Sequence, residues 1–127
     1  MKKIVLNILL LAVAFAATGQ SSSLKPVIKN NKSSFAINGT TSKTIFQLVA
    51  SDKEIQDLKK QAATMSNIKL SVNKQKTGTH TCELSINDRN DALYVQRIFS
   101  VFGFTNFIMD GAEKPVTELA ATLIKLK

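Results

Sequence analysis

An α+β domain with the element order β-α-β-β-α-β over residues 43–111 is what this sequence predicts, and three observations predict it. Apolar and polar residues alternate with a period of two in the runs 44–50, 68–73 and 79–86. Two stretches between and after them, beginning at Ser51 and at Asn87, repeat their apolar residues at intervals of three and four behind helix-capping side chains. A short polar turn ending in Gly78 joins the second and third runs as an antiparallel hairpin. Two crossovers with a hairpin between them build a four-stranded antiparallel sheet with both helices on one face, the ferredoxin-like arrangement, in which the first and third strands are central.

The chain opens with Met1-Lys2-Lys3, an apolar stretch over 4–15 and small residues at Ala14, Ala16 and Ala17, the pattern of a secretory signal peptide over 1–20. The stretch is short for a membrane span, which needs roughly 20 apolar residues. Cleavage after Ala16, Ala17 or Gln20 fits equally, and the absence of a nearby cysteine excludes a lipid-modified N-terminal Cys. The expected localisation is export to the periplasm or beyond the cell, with no transmembrane segment once the signal is removed. Residues 21–42, rich in Ser, Asn and Lys, sustain no period and read as a flexible basic linker, with a weaker reading of 34–38 as an edge strand.

In the first strand Phe46, Leu48 and Ala50 share one face, and Ile45, Gln47 and Val49 the other. Ser51-Asp52-Lys53-Glu54 has the form of a capping box, in which Ser51 and Glu54 satisfy each other's backbone amides. Behind it Ile55, Leu58, Ala62 and Met65 form one apolar stripe. Ile68, Leu70 and Val72 make the second strand, and Cys82, Leu84 and Ile86 the inward face of the third. Asn90 or Asp88 is expected to cap the second helix, whose wide stripe runs from Ala92 to Phe102 before Gly103 ends it. A fourth strand is expected over 104–109, closing at Asp110-Gly111, and a C-terminal helix over 112–127 with Pro115 in its first turn. If that helix does not cover the sheet, the face bearing Ile45, Gln47 and Val49 is an open candidate contact surface.

The net charge of +8 falls to +6 when Lys2 and Lys3 are removed, and the positive residues are scattered, with only Arg89 and Arg97 as arginines. That argues against a nucleic-acid partner, which needs clustered cations. Cys82 is the sole cysteine, so no internal disulfide forms, and its inward position makes it a packing residue. His80 is the only histidine, no carboxylate pair is placed for acid–base work, and no phosphate-binding glycine loop occurs, so no catalytic residue is expected.

The spacing over 43–110 resembles the heavy-metal-associated (HMA-like) domain of copper chaperones and metal-transporting ATPases. The likeness rests on the Phe46-x-Leu48 strand, Leu58 and Met65 in the first helix, the run from Asn67 to Val72, the strand from Cys82 to Ile86, and Phe102-Gly103-Phe104. The resemblance implies a Cys-x-x-Cys metal site between first strand and first helix. Here that loop is Ala50-Ser51-Asp52-Lys53-Glu54, without a thiol. The chain is therefore expected to be an exported, non-catalytic interaction module that has lost thiolate metal binding and carries no cofactor. Ser51, Asp52, Lys53 and Glu54 are the candidate contact loop, and another envelope or secreted protein, or a second copy docked on the open face, the expected partner. The alternative is a small-ligand or Cu/Zn-binding domain with non-standard ligands, for which His80, Cys82, Met65 and Met109 are the soft donors.

Overall fold

A computed structural model describes residues 24–76 and 78–127. The expected signal peptide lies outside the described residues. The strands are β1 (Phe35–Asn38), β2 (Thr41–Val49), β3 (Ile68–Lys74), β4 (Thr79–Ile86), β5 (Asn106–Met109) and β6 (Ala112–Pro115). The helices are α1 (Asp52–Ala63), α2 (Ala92–Val101) and the short α3 (Leu119–Leu123). The protein is α+β, with a four-stranded antiparallel sheet in the order β1-β2-β4-β3 and helices packed on it in a ferredoxin-like arrangement. As expected, the first and third strands of the β-α-β-β-α-β unit, β2 and β4, are neighbours.

The alternation in β2 and β4 fixes one buried face. Thr44, Phe46 and Leu48 stand opposite Leu84, Cys82 and His80 and are buried with them. Helix α1 lays Ile55, Leu58 and Ala62 on this face, and α2 lays Val95, Ile98 and Phe99 there. At the centre Phe46 meets Phe99 edge-on, ring centroids 4.9 Å apart, and Phe104 closes on both. Each such fully buried ring contributes roughly 1.5–3 kcal/mol by leaving water.

The linker expected over 21–42 is not a tether where it is described. Leu24 and Ile28 enter the core, and Val27 forms an antiparallel bridge to Gln47 and a parallel bridge to Ile108. Residues 26–28 thus lie between β2 and β5. Ile108 accepts from Ile28 at 2.9 Å and donates to Pro26 at 2.9 Å, so backbone groups on both sides of this short segment are paired. Farther on, the edge strand weakly read at 34–38 is present as β1, joined to β2 by a two-residue turn in which Gly39 has φ +65°. The fourth strand is consequently displaced from β2. It begins at Asn106 and pairs with β6 through Asp110 and Gly111, whose φ of 53° and 76° are those of a type I′ turn.

Two further expectations are corrected. Asp91, not Asn90 or Asp88, caps α2, its side chain accepting from the Tyr94 amide, while Asp88 takes a left-handed backbone with φ 67°. The helix expected over 112–127 gives its first residues to β6, because the tight Asp-Gly turn folds them back on β5. A single 3-10 turn and α3 follow. Val116, Leu119 and Leu123 are buried as the stripe predicted, but against α2, where the Gln96 side chain accepts from the Ala120 amide at 2.9 Å.

Candidate functional site

The junction of β2 and α1 is where an HMA-like domain would hold its ion, and its residues are engaged in local bonds. Ser51 Oγ accepts from the Glu54 amide at 3.1 Å, and Glu54 Oε1 accepts from the Ser51 amide at 2.9 Å. Asp52 receives Lys74 Nζ at 3.3 Å, and Lys53 donates to Asp57 one turn on. With no thiolate, and with its oxygens occupied by backbone and ammonium donors, this loop does not fit a soft metal ion.

The alternative soft donors do not converge either. Cys82 and His80 share the core face of β4, and both are buried. Burial pushes the Cys82 thiol up to about 12, so the thiolate that a metal requires is disfavoured there. Met65 lies just past α1, partly buried. Met109 is on β5, and two chain segments, residues 26–28 and β2, stand between β5 and β4. Three strand spacings put it roughly 14 Å from Cys82 in the sheet direction. Among the described residues no three His, Cys, Asp or Glu gather as a metal site.

Among the described residues no helix packs on the sheet's other face. The terminal helix packs on α2, and Val49 remains 72 % exposed, with Ile45 and Gln47 half-buried beside it. Lys43 and Glu83 pair across this face at 3.8 Å. No described helix is long and apolar enough to cross a membrane.

No family model, curated protein or solved structure matches this chain.

At one end of the open face lies a cavity of about 390 Å³ that the sequence reading missed. It forms where the pairing along β2 is interrupted. Val27 is opposite Gln47 and Phe35 opposite Thr44, so seven residues, 28–34, face only Ile45 and Phe46. The surplus chain arches outward and is held in shape by its own bonds. Ser34 Oγ donates to Lys29 O at 2.7 Å, and the Asn31 side chain caps the 3-10 turn Lys32–Ser34. Lys29, Asn31 and Ser33 from the arch then overhang Ile45, Gln47 and Thr81 of the sheet. The available signal was compositional: residues 24–51 hold four lysines and no acid.

Proposed function

We propose that the chain is an exported, non-catalytic binding module of HMA-like descent whose thiolate metal site has been replaced by a helix cap. Its contact surface is the open sheet face of Ile45, Gln47 and Val49, and its partner another envelope or secreted protein. One observation carries this reading: the terminal helix is spent on α2, and among the described residues Val49, at the end of β2, is left 72 % exposed. The engaged side chains of Ser51, Asp52 and Glu54 support the loss of metal binding.

A photo-crosslinking residue placed at Val49, compared with one at Ile124, which is 71 % exposed elsewhere, tests the reading. A defined adduct formed from position 49 and not from 124, and abolished by Gln47→Lys, is expected. Equal labelling from both positions would sink it, and an adduct of twice the chain's mass would identify the partner as a second copy. Stoichiometric Cu(I) binding lost in Cys82→Ser would overturn the claim of lost metal binding.

A second reading, a small-ligand module, is favoured by the cavity beneath the 28–34 arch, a volume within the range of small-molecule sites.

A further inference from the structure

We infer that the cavity under the arch is a binding site for a small carboxylate-bearing molecule with an aliphatic part, held by Lys29 and the amide and hydroxyl groups around it. The inference rests on the second reading above and gives that site its ligand chemistry.

The arch is built rather than slack. Ile28 anchors one end in the core, Ser34 is buried at the other with its hydroxyl on Lys29 O, and the Lys32 amide donates to Lys127 O at 3.0 Å. Asn30 is tied at both ends of its amide group, to Asp110 and to the Lys127 amide. A loop fixed by so many local bonds presents its remaining groups in a set geometry, which lowers the ordering cost of binding.

The lining specifies the ligand. Val27 and Ile45 give an apolar floor, suited to a short aliphatic chain. Gln47, Gln75 and Thr81 supply neutral donors and acceptors, and among the described residues their side chains show no hydrogen-bond partner. Lys29 is the only charged residue lining the cavity, and among the described residues it has no acidic partner. Glu83, the acid nearest along β4, is neutralised by Lys43. One ammonium flanked by amides matches one carboxylate. A phosphate would ask for a guanidinium fork or a nest of backbone amides, and the lining has no arginine and no glycine.

The test is heteronuclear NMR on the chain without residues 1–20, titrated with N-acetyl-leucine, with N-acetyl-leucinamide and with inorganic phosphate. N-acetyl-leucine is expected to shift the amides of residues 29–34, 45–47, 75 and 81 saturably, with Lys29→Gln weakening it about tenfold and Lys69→Gln, on the same face outside the cavity, leaving it unchanged. Equal binding of the uncharged amide would overturn the carboxylate assignment while leaving a small-ligand cavity in place. Stronger competition by phosphate would overturn it in favour of another anion. Saturation without shifts at these positions, or no binding of any probe, would overturn both the assignment and the small-ligand reading.

Discussion

The Phe104 amide donates to the Phe99 carbonyl at 3.0 Å, and the same two residues meet through their rings at 5.3 Å. With Gly103 at φ 92° donating to Ser100, this is a Schellman motif with its hydrophobic contact, so one pair both ends α2 and starts the route to β5. Phe104→Ala removes a fully buried ring and is expected to cost about 3–5 kcal/mol in chemical denaturation. Gly103→Ala forces a side chain into the left-handed region and should cost about 1 kcal/mol or more. Equal effects of the two would contradict the assignment.

At the other helix start, Ser51→Ala deletes one arm of the capping box and should lower stability by about 1 kcal/mol. Ser51→Asp keeps an acceptor for the Glu54 amide and should lose far less. Because that junction carries no metal in the proposed reading, thermal unfolding of all three proteins is expected to be insensitive to a chelator.

Cys82 predicts a pH window. Its thiol ionises at an ordinary 9.0 when unfolded and at about 12 when folded. The folded state therefore holds the proton more tightly, and the contribution is fully present below pH 9 and is lost as pH rises towards 12. Stability measured from pH 8.5 to 11 should fall more steeply in the parent than in Cys82→Ala, the difference isolating the thiol from the titrating lysines. In the native state at neutral pH the thiol should resist alkylation until the chain unfolds.

Thr44 is fully buried on the core face of β2, and among the described residues its hydroxyl has no hydrogen-bond partner. Thr44→Val keeps the shape and removes an unpaired polar atom, so it is expected to raise stability by about 1 kcal/mol. A loss of stability, read from the denaturation midpoint, would mean that the hydroxyl is bonded in solution.

Period and punctuation carried most of the fold. The alternation of Phe46 and Leu48, the Ser51–Glu54 box and the Gly103 stop were each sufficient to place an element, because each expresses a local rule. The N-terminal segment broke no such rule and followed none. Leu24 and Ile28 are buried, and residues 26–28 are bonded to Ile108 of β5, a strand about eighty residues away that no local pattern announces, while the arch at 28–34 interrupts the alternation that would have joined them to β1. Strand β6, with Glu113 and Lys114, has little strand propensity of its own and is imposed by the Asp110-Gly111 turn. The candidate cavity was hidden for the same reason, since half its walls come from the segment read as a linker, whereas Ile45, Gln47 and Val49 were legible from the period of one strand.

The bridge of Val27 to both Gln47 and Ile108 sets the order in which the molecule is completed. Its link to Ile108 joins residues far apart in the chain, so the loop it closes is long and entropically expensive. The helices and the central hairpin have local contacts and form without it. Residues 26–28 cover the edge of β2 at Gln47 and are themselves held from the far side by Ile108, so a C-terminal truncation before β5 is expected to strip that segment of its second partner and leave a backbone edge open to association with other chains.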